Sequence, residues 1–186
     1  NIRERLDFSC AVLDAQGRLI PSAPHIPVHL GALGLCVREC VRAVPLQKGD
    51  TLVTNHPAFG GSHLPDLTLI TPVHGEEGDL IGYVANRAHH AEIGGLTPGS
   101  MPATAGCLAE EGVVIPPQLL IRGGESRFAQ VMELFTGGPY PTRNAADNLA
   151  DLHAQLAANL LGARRLLELA QGGMTAESLA EVLAHS

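Results

Sequence analysis

The chain has 186 residues, of which 45% are hydrophobic and 17% are charged, so it can bury a core and is not an intrinsically disordered segment. Its 21 glycines and 13 prolines, together with 3% aromatic residues, indicate a turn-rich fold and exclude a coiled coil throughout. The net charge of −7 disfavours nucleic acid as a partner, and no stretch approaches the roughly 18 apolar residues of a membrane helix. Without a signal-peptide pattern at its start, the sequence predicts a cytoplasmic protein with no membrane partner.

The four cysteines lack the paired spacing of a zinc knuckle and are too sparse for a disulfide scaffold. We therefore expect all of them to be reduced and buried as small apolar side chains. They are Cys10, Cys36, Cys40 and Cys107.

The first half of the chain predicts a hairpin, a helix and a set of strands. Turn residues at 14–17 divide a hairpin over about 6–20, which is expected at a sheet edge. Apolar residues then recur at helical spacing over 28–44 until Pro45 ends the run. Apolar runs predict further strands, the last two of which form a hairpin. These strands lie at 51–54, 67–73 and 80–85.

The second half predicts a long loop followed by short strands and helices. Residues 86–112 are rich in glycine and lack periodicity, which is typical of a functional loop. Short strands are expected at 113–115 and 118–121, and a long helix is expected at 145–171, closed by Gly172-Gly173. A last short helix is predicted over 176–184. The fold class is therefore α+β, with a mixed or mainly antiparallel sheet.

The densest group of polar residues lies in two segments, 55–66 and 86–92, each at the end of a predicted strand. Imidazoles and carboxylates brought together from two such loops form a mixed nitrogen and oxygen ligand set that suits Mn, Zn or Fe(II). The alternative is ordinary surface chemistry, because a His-x-x-Asp pair is also common as a surface hydrogen bond.

Other candidates have equally plain alternatives. The guanidinium of Arg87 can bind a carboxylate substrate or form a salt bridge within the protein. His25 and His29 flank an extended segment and can cap a helix start or touch substrate. The glycine pairs at 60–61 and 94–95 allow the backbone to approach a ligand closely.

Six ordered motifs together resemble the hydantoinase B/oxoprolinase family, the B-type subunits of ATP-dependent hydantoinases and 5-oxoprolinases, which are related to the acetone carboxylase alpha subunit. One of them is Gly60-Gly61-Ser62-His63-Leu64-Pro65-Asp66. The six lie at 3–10, 23–31, 60–66, 87–95, 98–102 and 111–117.

The resemblance implies specific roles for residues in these motifs. The family's metal ligands fall on His63, Asp66 and His89, with His90 beside them as a further ligand or a proton carrier. Arg87 is the other catalytic candidate. Substrate contacts are expected in the glycine-rich loop, at Gly94, Gly95 and Ser100.

The resemblance also implies a partner. In the family, an A-type ATPase subunit phosphorylates a carbonyl oxygen of the substrate, and the B-type subunit completes the reaction. The predicted function is thus a metal-dependent subunit of a hetero-oligomeric hydrolase that opens cyclic amides or imides. The alternatives are a subunit of an acetone-carboxylase-like enzyme and a non-catalytic subunit that docks the ATPase.

Family members are much longer than this chain, and the chain starts at Asn1. We therefore expect a piece of a longer protein, in which residues 1–173 form the N-terminal part of a hydantoinase B-like domain. Residues 174–186 are expected to add a short terminal helix.

Overall fold

A computed structural model describes residues 6–20, 26–99, 102–173 and 178. Its centre is a six-stranded sheet with the strand order β1-β4-β3-β2-β5-β6, in which every pair of neighbours is antiparallel. The strands are β1 (Phe8–Asp14), β2 (Thr51–Thr54), β3 (Asp66–His74), β4 (Leu80–His89), β5 (Gln118–Arg122) and β6 (Glu125–Ser126).

The described helices cover both faces of this sheet. Ala85 of β4 packs in the apolar cluster that includes Leu33 and Val37, whereas its neighbour Val84 packs against Leu166. Successive residues of a strand point to opposite faces, so these contacts place one helix on each side. The helices are α1 (Pro27–Ala43), α2 (Leu108–Glu111), α3 (Phe128–Thr136) and α4 (Ala145–Gln171), with a short 3-10 helix at Pro57–Phe59.

The α+β class and the two main helices are confirmed. Helix α1 starts at Pro27, whose fixed φ suits the first helical turn, and it ends before Pro45, as expected. Helix α4 covers the predicted 145–171, and the side chain of Asn144 caps its start by accepting from the N–H of Asp147. After α4, Gly172 has a φ of −72° and Gly173 has a φ of 83°, so the left-handed residue of the predicted glycine pair is Gly173.

The apolar spacing in the sequence predicts that α4 buries the face formed by residues 149, 152, 156, 160, 163, 167 and 170. The observed buried stripe shares Leu152 with that face and otherwise lies beside it. Leu160 lies on the predicted face and is 52% exposed. The helix turns an amide-rich stripe toward the sheet, where the side chain of Gln155 donates to the carbonyl of Leu67 on β3 and that of Asn159 donates to the carbonyl of Val84 on β4. The buried residues are Asn148, Leu152, Gln155, Asn159 and Leu166.

Three details of the loop predictions need correction. Strand β4 runs to His89, so the loop starts later than residue 86. Residues 113–115 form no strand, because the N–H of Ile115 is bound by the side chain of Asn55 instead of by a ladder partner. The second arm of the hairpin after β1 is a single bridge at Leu19.

Helix α3 and strand β6 were not predicted from the sequence. Of the cysteines, Cys36 and Cys40 are buried as expected, but Cys10 is half-buried and Cys107 is exposed. The predicted helix at 176–184 falls outside the described residues, except for residue 178. Within the described part of the chain, no helix combines the length and apolar character needed to cross a bilayer.

Candidate metal centre

The candidate centre forms where β3 begins and β4 ends. Asp66 and His89 are direct partners in the β3–β4 register, so their side chains leave the same face of the sheet. His63 reaches the same point from the turn before β3, in which the N–H of Asp66 donates to the carbonyl of His63. Residues 26 apart in the chain, His63 and His89, therefore have ring centroids only 4.9 Å apart.

Asp66 is the centre of the group. Nδ1 of His63 donates to its Oδ2 (2.7 Å), Nδ1 of His89 donates to its Oδ1 (3.1 Å), and the Ser62 hydroxyl donates to Oδ2 (2.5 Å). The carboxylate is 1% exposed, whereas the side chains of His63 and His89 are 28% and 15% exposed. The cluster thus has a buried anionic floor and two imidazoles that reach solvent.

The electrostatics follow from these contacts. Burial alone would raise the pKa of Asp66, but hydrogen bonds from His29, His63, His89 and Ser62 outweigh it and hold that pKa well below its usual range. The hydrogen bond to Asp66 in turn raises the pKa of His63. Asp66 is therefore ionised at neutral pH and draws positive charge toward it.

Arg87 lies under the cluster and does not reach into it from solvent. Its side chain is fully buried, and Nη2 donates to the carbonyl of Gly60 (2.8 Å) while Nε donates to the hydroxyl of Thr68 (2.8 Å). Nη1 lies 3.4 Å from the hydroxyl of Ser62, which itself binds Asp66. The sequence left this guanidinium open between a substrate carboxylate and a salt bridge within the protein. The bonds that the structure shows are made within the protein, but to neutral oxygens.

His90 points to the opposite face of the sheet from His89. Its Nε2 lies 3.0 Å from Oε1 of Gln155 and its Nδ1 lies 3.2 Å from Nδ2 of Asn148, so both ring nitrogens are bound by α4. Burial lowers the pKa of His90 and keeps the ring neutral. The adjacent histidines separate because successive residues of an extended chain alternate in direction.

The glycines of the next loop are used for contacts within the protein. Gly94 and Gly95 have positive φ values of 86° and 93°. A Cβ on Gly94 would lie 2.2 Å from the carbonyl oxygen of Tyr140, and one on Gly95 would lie 2.8 Å from that of Glu110. The close approach that these glycines allow is thus to the segment before α4 and to α2. Ser100 lies outside the described residues.

His29 is a third imidazole at the cluster, beside those of His63 and His89. It lies in the first turn of α1, is 3% exposed, and places Nε2 3.4 Å from Oδ2 of Asp66. The sequence alone left this residue open between helix capping and substrate contact. The available signal was Pro27, which favours a helix start and so places His29 within the first turn of α1. His25 is not among the described residues.

The donor atoms of His63, Asp66 and His89 fit a divalent cation. One ligand atom from each lies within 4.8 Å of the others, and two imidazoles with one carboxylate are the mixed set that Mn, Zn and Fe(II) accept. The partial exposure of both histidines leaves one side open for a water molecule or a substrate.

A family model for hydantoinase B/oxoprolinase matches residues 1–185. The chain belongs to the hydantoinase B/oxoprolinase family. The 5-oxoprolinase of Saccharomyces cerevisiae is 47% identical over 170 residues, which are 87% of this chain and 13% of that protein.

A further relative and two solved structures are also similar to this chain. The beta subunit of the caprolactamase of Pseudomonas jessenii is 32% identical over 166 residues, which are 88% of this chain and 28% of the subunit. The crystal structure of the ATP-dependent caprolactamase from that organism superimposes with a TM-score of 0.80 at 29% identity, over 95% of this chain and 30% of that chain. Acetone carboxylase in its nucleotide-free form gives a TM-score of 0.80 at 21% identity, over 96% of this chain and 23% of that chain, which shows a common fold.

This hydantoinase B/oxoprolinase chain spans only a small part of the curated relatives it matches, 13% of the length of the yeast 5-oxoprolinase. The three residues that the family resemblance assigns to the metal are the three that the structure brings together. The resemblance placed further residues next to these three, and the structure shows contacts of each within the protein. His90 bonds to α4, Arg87 bonds to the carbonyl of Gly60, and the backbone of Gly94 and Gly95 packs closely against neighbouring segments.

Proposed function

We propose that this chain provides the metal-binding part of an ATP-dependent hydrolase that opens cyclic amides or imides of the hydantoin or 5-oxoproline type. The observation that carries the proposal is the cluster of His63, Asp66 and His89. It occurs in a family whose relatives are named 5-oxoprolinase and caprolactamase, and both names denote action on a cyclic amide.

His63, Asp66 and His89 would hold one Mn, Zn or Fe(II) ion. When bound, such an ion polarises a carbonyl or phosphate oxygen and lowers the pKa of a coordinated water toward neutrality. The buried, ionised carboxylate of Asp66 supplies the negative charge that retains a cation, and the hydroxyl of Ser62 fixes the direction of Oδ2. The exposed edges of the two imidazoles define the side from which the substrate approaches.

Activation of the amide is assigned to a partner. Cyclic amides resist hydrolysis because resonance strengthens the C–N bond, and phosphorylation of the carbonyl oxygen weakens that resonance. We propose that an A-type ATPase subunit performs this step in a hetero-oligomer. The support is that one relative is named a beta subunit and that the caprolactamase of the same organism is described as ATP-dependent.

The proposal is tested by metal analysis and activity together. Elemental analysis is made on protein purified without chelator, with Asp66→Asn and Asp79→Asn in parallel, the latter in the exposed turn between β3 and β4. We expect about one ion per chain in the wild type and in Asp79→Asn and almost none in Asp66→Asn. With the ATPase partner added, ATP-dependent ring opening of 5-oxoproline, hydantoin or caprolactam follows the metal content.

The outcomes separate the alternatives. A stable complex whose ring-opening activity survives in Asp66→Asn contradicts a catalytic metal and favours the docking subunit. ATP-dependent consumption of bicarbonate with a ketone, without ring opening, favours the carboxylase alternative, for which the present support is a common fold.

A further inference from the structure

A buried histidine supports the candidate metal centre from beneath. The imidazole of His29 lies between the hydroxyl of Ser9, 3.2 Å from Nδ1, and Oδ2 of Asp66, 3.4 Å from Nε2. Ser9 is fully buried, so water does not compete for either contact. The three residues belong to β1, α1 and β3, which the tertiary fold brings together.

The contacts of His29 select one tautomer of its ring. An ionised carboxylate can only accept hydrogen bonds, so the nitrogen that faces Asp66 is the one that carries the proton. Nδ1 is then an acceptor, and the hydroxyl of Ser9 donates to it. The two contacts therefore point in one direction, from the Ser9 hydroxyl through His29 to the carboxylate of Asp66.

His29 stands outside the group of possible ligands. Among the described residues, the donor atoms that lie within 4.8 Å of one another come from His63, Asp66 and His89, and the ion-pair contact of His29 with this group is to Oδ2 of Asp66. It approaches from the buried side, whereas His63 and His89 line the side that reaches solvent. Its place is that of a residue that orients a ligand.

We infer that His29, held by Ser9, is a positioning residue that fixes the carboxylate of Asp66 for a divalent cation. This inference rests on the proposed metal site. Hydrogen bonds to a ligating carboxylate set its direction before the ion arrives, and loss of such a partner typically weakens metal binding about 10- to 100-fold. The inference concerns His29 and Ser9 alone, since the Ser62 contact to Oδ2 remains in every variant below.

The test compares variants that remove or keep the donor. His29→Leu removes the N–H that faces Asp66, and His29→Gln keeps an N–H at a similar distance from the backbone. Ser9→Ala removes the hydroxyl that contacts Nδ1 of His29. His153→Gln, at an exposed position on α4, is the matched control. Zn affinity is measured by chelator competition on the purified protein, and the visible spectrum of the Co-loaded protein reports the geometry of the ligands.

We expect His29→Leu to bind Zn about 10- to 100-fold more weakly, His29→Gln to recover most of that loss, and His153→Gln to match the wild type. Ser9→Ala is expected to show a smaller loss and a shifted Co spectrum. Equal affinities for wild type and His29→Leu overturn the inference, and so does a His29→Gln variant as weak as His29→Leu. If His29→Leu does not fold, the other two variants decide. Strong Zn binding by His29→Gln together with weakened Zn binding by Ser9→Ala supports the inference, whereas an unchanged Zn affinity of Ser9→Ala overturns it.

The same experiment distinguishes this inference from the proposed function. If the wild-type protein binds neither Zn nor Co, the metal site itself fails, and the positioning role fails with it. If the wild type binds metal normally while the donor-removing variants do so too, only the role of His29 is overturned.

Discussion

At the scale of single residues, one glycine lets the turn before the candidate metal centre lie against α1. Gly60 has a φ of 79°, and a Cβ on it would lie 2.8 Å from the backbone nitrogen of Cys36. Its carbonyl accepts from Arg87, so the turn is held from both sides. Gly78, in the β3–β4 hairpin, has a similar φ of 89° but meets nothing within 4 Å.

This pair separates backbone strain from close packing. Gly78→Ala is expected to lower the free energy of unfolding by about 1 kcal/mol, because alanine is strained at positive φ. Gly60→Ala carries the same strain and must also displace α1, which adds about 1 to 3 kcal/mol. Urea denaturation of both variants measures the difference. Equal losses would show that the turn can move away from α1 freely.

Residue types were readable from the sequence where their chemistry is distinctive. The His and Asp residues of the cluster stand out because few side chains bind cations. Asn55 does not stand out, yet its buried amide donates to the carbonyls of Leu64 and Val113 and accepts from the N–H of Ile115. These partners are up to 60 residues away, so only the folded chain reveals the role.

At the scale of elements, Glu92 links the loop after β4 to the start of α4. Its carboxylate accepts from the hydroxyl of Thr142, from the backbone N–H groups of Arg143 and Gly94, and from the guanidinium of Arg143. Partial burial would raise the pKa of Glu92, but these hydrogen bonds outweigh it and hold that pKa below its ordinary value. The ionised form therefore stabilises the native state.

The sign of the pH dependence follows from that shift. The contribution of Glu92 is present above the unfolded-state pKa of about 4.3 and is lost as the pH falls through the lower folded-state value. Glu92→Gln is thus expected to be less stable than wild type near pH 7, and the gap should close on acidification. Urea denaturation between about pH 3 and pH 7 measures the difference in stability between the two proteins. Glu168→Gln, which removes the exposed ion pair with Arg165, is the control and is expected to change the stability little. A gap that is constant with pH would contradict the assignment.

The interface between α4 and the sheet shows why the most buried stripe of the helix is displaced from the predicted face. Of that face, Leu152 is buried, and residues 149, 156, 163 and 167 pack partly buried against the core. A leucine stripe normally marks the buried side of a helix. Here the amide of Gln155 donates to the carbonyl of Leu67 and to Asn86, and Asn159 donates to Thr71. Amides that are fully bonded can be buried, so periodicity alone misjudged the rotation of the helix while correctly giving its length.

At the scale of the whole molecule, the candidate metal centre joins the turn before β3, the start of β3 and the end of β4. A ligand that binds the native state and not the unfolded state stabilises the fold by RT ln(1 + [L]/Kd). At 100 times Kd this is about 2.7 kcal/mol, which raises Tm by about 5 to 10 °C in a domain of this size. We expect this rise with Zn or Mn for the wild type.

Thermal unfolding of variants with and without the ion tests the prediction. Asp66→Asn should show no metal-dependent rise, whichever Tm it has in the absence of metal, and Asp79→Asn should show the wild-type rise. A similar rise in all three proteins would point to binding elsewhere in the chain.

By itself, the sequence determined the α+β class and the extents of the two main helices, because strand period, prolines and caps are local signals. Its ligand chemistry indicated two polar segments, and its resemblance to a known family implied which three side chains of these segments cluster. Only the tertiary structure decided which groups meet. The β3–β4 register placed Asp66 opposite His89, the alternation of side chains sent His90 to α4, and the packing of α1 brought His29 beneath the carboxylate. Contacts between distant segments depend on how strands pair and helices pack, and a linear pattern does not encode that directly.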